Sequence, residues 1–513
     1  MKISNHFTSS IKAMLPAVAI ACAAQSATAQ INELPRVTPE SVGISSKVIA
    51  NYFDSVMSLK DTEIHSVLLM RHGKVIGEIH PAPFKAEYGH TLFSASKTFT
   101  CAAIGIAIKE NLLRIDDRLA TFFPDLLPEK VSSRLAAITI RDLLTMNSGF
   151  NQTDDVRNNE TEWVKKYLAI DVVAEPGTKF KYDSMDTYLL AAIIQKVTGQ
   201  NVFDYLKQRM FEPLHITEAN WETSPEGINC GGWGLYLQSE SLAKFGQLLL
   251  NKGSWQGKEI IPASWVEEMM KPHVSETGGD SYCYQMWKCD NPNTARADGA
   301  YGQYVIVMPN EDMVAVVTQV ITKGDAGKRE QHMLFKNVLS AIKSGALTKS
   351  AADFKRLQKK SASYVLPYAE GKSAATSKAV FNKTFTLDKN ANGWKSVRIV
   401  KDGKNIKLLI DTEECGTNEI ECGYRKWTLS EVATKFPSNA RGDTKGAFSG
   451  FTSPFKASAS YGWTGDGKLN VKIHYVDWMS SVKLQFDFSK NQMTLQENYK
   501  SKASLMRFKS ILC

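Results

Sequence analysis

The hydrophobic pattern of this chain changes period once, near residue 380, and that change constrains the fold more than any other feature. Before it, apolar residues recur at helical spacing in several stretches and alternate in a few others. After it, the segments VRIVKDGKNIKLLID (397–411), KLNVKIHYVDW (468–478), SVKLQFDFS (481–489) and QMTLQEN (492–498) alternate apolar and polar residues between turns that contain Gly, Asn or Asp. With 513 residues, the chain exceeds the ~100–200 residues of an ordinary domain, so two cores are expected. Residues 344–380, rich in Lys, Ser and Ala, suit a linker between them, and residues 381–513 read as an all-β unit, a small barrel or sandwich.

The first part reads as an α/β (α+β) layered domain over residues 30–343. Residues 65–80 form a hairpin around His72-Gly73-Lys74, and 302–308 and 313–320 are further strands. Helices are expected from Ser94 to about Leu113, with Phe99, Ala102, Ala103, Ile106 and Leu112 buried, and at 139–147, 188–199, 239–252, 262–271 and 330–343. Helices between an N-terminal hairpin and later strands point to a central antiparallel sheet flanked by helices.

Residues 1–29 read as an export signal: Lys2 and Lys12, then the apolar stretch Ala13–Ala24, then Ala27-Thr28-Ala29 as a small-x-small cleavage site. A rival reading takes Ala19-Ile20-Ala21-Cys22 as a loose lipobox with a lipid anchor on Cys22. A periplasmic or secreted location is expected either way, and no later apolar run reaches the ~18 residues of a membrane span. Export permits disulfides; Cys283/Cys289 and Cys415/Cys422 are the plausible local pairs, with Cys101 an inert core thiol. No His or Cys spacing supports a metal site, and no cofactor is implied.

Net charge is +9 but divides unevenly, with 28 Lys and Arg against 15 Asp and Glu in residues 345–513, and 34 against 38 before them. Without a tight basic run or an RNA-binding aromatic motif, the basic second part reads as a solvated surface and not a nucleic-acid interface. A monomer is expected.

The chemistry is carried by Leu92-Phe93-Ser94-Ala95-Ser96-Lys97-Thr98. Ser94 and Lys97 share a helix face at S-x-x-K spacing, so hydroxyl and amine come within hydrogen-bond reach. The positive end of the helix favours a developing oxyanion, and burial there would lower the Lys97 pKa so that it accepts the Ser94 proton. The spacing alone is weak, because it recurs at Ser9/Lys12, Ser241/Lys244, Ser340/Lys343, Ser453/Lys456 and Ser480/Lys483. Only Ser94 opens a long apolar helix after an aromatic lead-in. The turn Glu175-Pro176-Gly177-Thr178 delivers Tyr182 just before another helix, where a phenol can pass protons.

Together with Thr139–Gly149 (TIRDLLTMNSG) and Gly299-Ala300-Tyr301-Gly302-Gln303, these segments resemble the serine β-lactamase-like and penicillin-binding family over residues 35–343. Its members include class C β-lactamases, D-alanyl carboxypeptidases, esterases, 6-aminohexanoate-dimer hydrolases and acyltransferases. Similar hydrolases carry lipocalin-like appendages, so the resemblance implies a barrel of about eight strands for residues 381–513. The resemblance implies Ser94 as nucleophile, Lys97 as base, Tyr182 as second acid/base, and the backbone N–H groups of Ser94 and Ala300, on a strand edge, as oxyanion hole. It also implies substrate contacts from Asn147, Ser184, Trp233, Trp287, Asp298, Gly299 and Tyr301. Tyr236 and Tyr284 are further aromatics near the expected cleft.

Two departures shape the substrate. The family's Tyr-x-Asn is here Tyr182-Asp183-Ser184, and its Lys/His-Ser/Thr-Gly triplet is Ala297-Asp298-Gly299. Ala297 cannot hold a substrate carboxylate, Asp298 would repel one, and strand alternation turns Arg296 to the face away from Ala297. An exported serine hydrolase or acyltransferase is therefore expected, acting on a less anionic small-molecule ester or amide with an alcohol as a further acyl acceptor. D-Alanyl carboxypeptidase, β-lactamase and a non-catalytic receptor of the same fold are the alternatives.

Overall fold

A computed structural model describes residues 33–151, 155–158, 161–275, 280–323, 329–373, 380–433, 454–465, 467–479, 481–497 and 504–510. The export and lipobox readings and Cys513 lie outside these residues.

Helix α1 (Ser46–Met57) is capped by Ser45, whose side chain accepts from Val48 N, and buries Ile49, Tyr52, Phe53 and Val56 along one stripe. Strands β1 (Thr62–Arg71) and β2 (Lys74–Ile79) follow as the expected hairpin, closed by His72 and Gly73, both at positive φ as a tight two-residue turn requires. Helices α2 (Ser96–Lys109), α3 (Ser184–Thr198) and α4 (Ser239–Leu250) come before β3 (Val274–Ser275), β4 (Ser281–Tyr282), β5 (Trp287–Lys288), β6 (Ala295–Gly299), β7 (Gln303–Met308) and β8 (Met313–Ile321). These eight strands form one sheet in the order β2-β1-β8-β7-β6-β5-β4-β3, antiparallel at each pairing. One sheet face (Leu68, Met70, Ala297, Val305, Val316) joins the core of α2, α3 and α4, and the other (Val67, Leu69, Tyr304, Ile306, Val317) packs on α1.

Helix α2 is buried almost all round, since it runs between the sheet and the remaining helices. It ends at Lys109, and Leu112, expected inside, is 39% exposed beyond its end. The expected linker holds a helix of its own, α5 (Ala351–Ser361), which Ser350 caps. Leu357 is buried against α1, and Tyr364 donates to Asp54 Oδ1 at 2.8 Å.

The second unit has ten strands among the described residues, not about eight: β9 (Thr384–Leu387), β10 (Trp394–Asp402), β11 (Asn405–Thr412), β12 (Gly416–Tyr424), β13 (Thr428–Val432), β14 (Phe455–Thr464), β15 (Lys468–Tyr475), β16 (Ser481–Asp487), β17 (Gln492–Glu497) and β18 (Ser504–Ser510). The sheet runs β12-β11-β10-β9-β18-β17-β16-β15-β14-β13, and a parallel pairing of β12 with β14 brings it round into a barrel.

All six described cysteines are free thiols, so neither expected pair forms. Cys283 packs in the α2 core while Cys289 faces the α1 side, across the sheet. Cys415 sits at the turn before β12 and Cys422 near its far end, about 3.3 Å of rise per residue apart, so the segment between them is a strand and not a closed loop. Cys101 is fully buried, and burial pushes its thiol up, as expected of an inert core residue.

Barrel and first domain meet at several places, among them Val476 against Phe84 and Tyr88. Phe93, Tyr236 and Val320 join the barrel's own core. Beside them Glu63 and His65 of β1 meet Lys472 and His474 of β15, with Glu63 Oε2 3.2 Å from Lys472 Nζ and Glu63 Oε1 3.5 Å from His474 Nδ1.

Candidate active site

The chain enters the site through backbone pairing. Residues His90–Thr91 pair with Tyr236–Leu237, and Leu92 N donates to Leu235 O at 2.9 Å. Phe93 then takes a positive φ of 46°, uncommon for a bulky residue, and turns the chain sharply. Ser94 lies in the 3₁₀ turn Phe93–Ala95, and α2 starts at Ser96, two residues later than expected. The Ser96 hydroxyl accepts from Leu235 N at 3.1 Å and pins the first helical residue to the same strand. Ser94 is half-buried.

Lys97 is 1% exposed. Its amine bonds Ser94 Oγ at 3.0 Å, Ser184 Oγ at 3.0 Å and the Gly232 carbonyl at 2.7 Å. Two hydroxyls and one carbonyl are thus among the partners of this buried amine, which also acts electrostatically on the Asp183 carboxyl. The amine stands within hydrogen-bond reach of the Ser94 hydroxyl, where a proton can pass between them. Ser184, which replaces the family's amide, is thus a direct partner of the lysine.

Gly232 was not singled out from the sequence. A Cβ there would lie 2.6 Å from Ser184 O, and one on Gly231 2.7 Å from Thr187 O. Only glycine lets this segment lie flat on α3 and aim its carbonyl at Lys97. The run Cys230-Gly231-Gly232-Trp233-Gly234 was the available signal.

Tyr182 enters on a loop held by backbone bonds from Gly177 N to Asn147 O (2.9 Å) and from Lys181 N to Met146 O (2.8 Å). Its ring centre is 4.9 Å from Lys97 Nζ, and it stacks on Trp287 at 5.8 Å. Asp183 caps α3 by accepting from Met185 N at 2.8 Å, and Tyr167 donates to its other oxygen. Burial raises both the Asp183 and Asp186 carboxyls, and the two sharpen the effect in Asp186 by mutual repulsion. Asn147 supports the loop through its backbone, while its side-chain Oδ1 is buried without a hydrogen-bond partner among the described residues.

Across from the Ser94 turn, a Cβ on Gly299 would fall on the Leu92 carbonyl oxygen, so glycine is what lets β6 approach Ser94. Ala300 lies in the turn after β6 and not on the strand edge as expected; Gly302 N closes that turn onto Gly299 O at 3.0 Å. Gln303 Nε2 donates to Ala300 O at 3.1 Å and to Gln319 O at 2.7 Å, which holds the turn to β8.

The remaining residues divide. Trp287 lies on Tyr182, and Tyr301 is 5.5 Å from Phe93. Trp233 is half-buried beside Trp163, with Arg157 5.5 Å above its ring. Tyr284 is core: it stacks on His273 at 3.8 Å and accepts from Arg141 at 2.9 Å. Tyr236 is buried between the two domains. Arg296 does share the face of Asp298 rather than that of Ala297, and binds Asp298 Oδ2 at 2.8 Å and Asp280 Oδ2 at 3.0 Å. The negative charge of Asp298 is therefore offset, which softens the repulsion the sequence alone implies.

A family described as Beta-lactamase matches residues 58–336. The 6-aminohexanoate-dimer hydrolase of Paenarthrobacter ureafaciens is 23% identical over 345 residues, which cover 61% of this chain and 86% of that protein. Protein flp of Staphylococcus aureus is 29% identical over 159 residues, 30% of this chain and 32% of that protein. Among solved structures, a penicillin-binding protein homologue from Caulobacter crescentus is 14% identical with a TM-score of 0.51, covering 58% of this chain and 99% of that chain. The chain, with its paired serine and buried lysine at the mouth of one helix, belongs to the β-lactamase family of serine hydrolases.

Proposed function

We propose that this protein is an exported serine hydrolase or acyltransferase that forms an acyl-enzyme on Ser94 from an ester or small amide. The observation that carries the proposal is the 3.0 Å contact between Ser94 Oγ and a lysine amine buried to 1% exposure. In the reaction, neutral Lys97 takes the Ser94 proton as Oγ bonds to the substrate carbonyl carbon. Negative charge develops on the carbonyl oxygen, towards the N–H groups of Ser94 and Ala300. Collapse breaks the bond to the alcohol or amine, which leaves with a proton passed through Tyr182 and Lys97. Water, or an alcohol where the apolar walls exclude water, then takes the acyl group and regenerates Ser94.

Three features support a weakly anionic substrate. Ala297 offers no cation, Arg296 is shared between Asp298 and Asp280 and so leaves no cation for a substrate, and Trp287 and Tyr301 present aromatic surface. The likeness to a protein named for hydrolysing an aminohexanoate dimer supports amides beside esters. Export rests on the sequence of residues 1–29, and N-terminal analysis of the mature protein tests it, with Gln30 expected first and a lipid-modified Cys22 as the alternative. For the reaction, wild type and Ser94→Ala are compared on p-nitrophenyl esters, small amides and β-lactams, with and without alcohol acceptors. Turnover of esters by wild type alone is expected; turnover that survives in Ser94→Ala overturns the proposal.

A further inference from the structure

The barrel reaches the nucleophile. The turn between β15 and β16 carries Trp478, which is 3% exposed and held by its backbone N–H to Tyr475 O at 2.9 Å. Its ring centre is 5.4 Å from that of Phe93, the residue before Ser94, and 6.1 Å from that of Tyr236, on which it stacks at 23°. Phe93 in turn meets Tyr301 edge-on at 5.5 Å.

Two of these residues have backbones that need external support. Phe93 has φ 46° and Tyr301 φ 65°, a region that non-glycine residues avoid and keep only when their surroundings fix them. Each stands next to one of the two proposed oxyanion donors, Phe93 before Ser94 and Tyr301 after Ala300. The two turns are already in close approach through Gly299 and the Leu92 carbonyl. Tyr236, the third ring, belongs to the strand that pairs with Thr91, on the way into the same turn.

From this we infer that Trp478 is a positioning residue: the barrel, through this one ring, holds the Phe93–Ser94 turn and so sets the nucleophile and the oxyanion hole in register. The inference rests on the reading of Ser94 as nucleophile. It makes the barrel part of the catalytic machinery and assigns its β15–β16 turn a function beyond stability. A ring on one side of a strained turn acts on geometry and not on substrate affinity, so it changes the acylation rate more than KM. Misplacing a reacting atom by about 1 Å can cost on the order of 100-fold in rate.

The test uses the full chain with Trp478→Phe, Trp478→Leu and, as a control in the same turn, Val476→Ala. Val476 packs with Phe84, Tyr88 and Leu366, away from Phe93. Rates of Ser94 labelling by a fluorophosphonate are measured with kcat and KM for a p-nitrophenyl ester, each corrected for the folded fraction. Expected are a labelling rate and kcat reduced a few-fold in Trp478→Phe and on the order of 100-fold in Trp478→Leu, with KM within about twofold and Val476→Ala at the wild-type rate. Trp478→Phe decides if Trp478→Leu is not recovered folded. Labelling by Trp478→Phe at the wild-type rate, or an equal slowing of Val476→Ala, overturns the inference. Failure of wild type to be labelled, or labelling of Ser94→Ala, instead overturns the reading of Ser94 on which it rests.

Discussion

Acidification tests the seam between the two domains. His90 and His474 are buried with 4% and 0% exposure, and burial first of all pushes both imidazoles down from 6.5 to about 3. Burial likewise lowers His65, which shares a 2.8 Å hydrogen bond with His90. The His90 and His474 rings are neutral in the folded protein at pH 5.5, while the unfolded chain binds protons on them below pH 6.5. Stability therefore rises with pH across the window from about 3 to 6.5 and is lost as pH falls through it. For one ring, moving from pH 7.5 to 5.5 costs between about 1 and 2 kcal/mol, and His90 with His474 together cost about 3 kcal/mol. Asp183 and Asp186, raised by burial, titrate with the opposite sign and partly mask this effect in the wild type. The comparison is therefore wild type against His474→Gln, in which groups away from the Glu63, His65 and Lys472 cluster cancel. Urea unfolding followed by tryptophan fluorescence at the two pH values is the assay. On going to pH 5.5 the wild type is expected to lose about 1 to 2 kcal/mol more than His474→Gln. Equal losses refute the reasoning, because His474 would then titrate alike in both states.

Other perturbations follow from the site. Lys97→Ala is expected to lower kcat/KM of ester hydrolysis by roughly 10²–10⁴ while circular dichroism stays unchanged; a loss under tenfold removes the lysine from the mechanism. Gly299→Ala places a methyl on the Leu92 carbonyl oxygen, and is expected to cost about 1–3 kcal/mol and to reduce kcat; an unchanged urea midpoint contradicts the close approach. Arg296→Leu leaves Asp298 and Asp280 facing each other, 25% and 13% exposed, without their shared cation. A stability loss of about 3 kcal/mol is expected in denaturant titrations, and a loss below about 1 kcal/mol argues that the carboxylates find other partners.

The proposed catalytic trio was legible because each member stands at a punctuated position: Ser94 and Lys97 at the opening of an apolar run, Tyr182 just before another. What the sequence could not convey was which distant backbone meets them. Gly232 lies 135 residues from Lys97 in the chain and still supplies its shortest hydrogen bond. The Asp298–Arg296 pair was half visible, since alternation places the two on one face, but their salt bridge needed the rotamers. Leu112 looked buried by period, yet the helix ends before it. In the barrel, β14 (FKASASYGWT) escaped because small residues let it bury both faces, which erases the alternation that marks a half-exposed strand. The cysteine pairs failed because spacing does not say which side of a sheet a thiol faces. Trp478 could be read only as the last residue of an alternating segment in a separate domain, since nothing local links it to residue 93.

The central claim is that the Ser94 hydroxyl, deprotonated by a buried lysine, becomes covalently acylated. Intact-mass analysis of the protein quenched during turnover of a slow p-nitrophenyl ester tests it most directly. The account predicts one added acyl group per chain, mapped by peptide analysis to Ser94, and none on Ser94→Ala. An adduct on another residue, or ester turnover with no adduct and no dependence on Ser94, contradicts it.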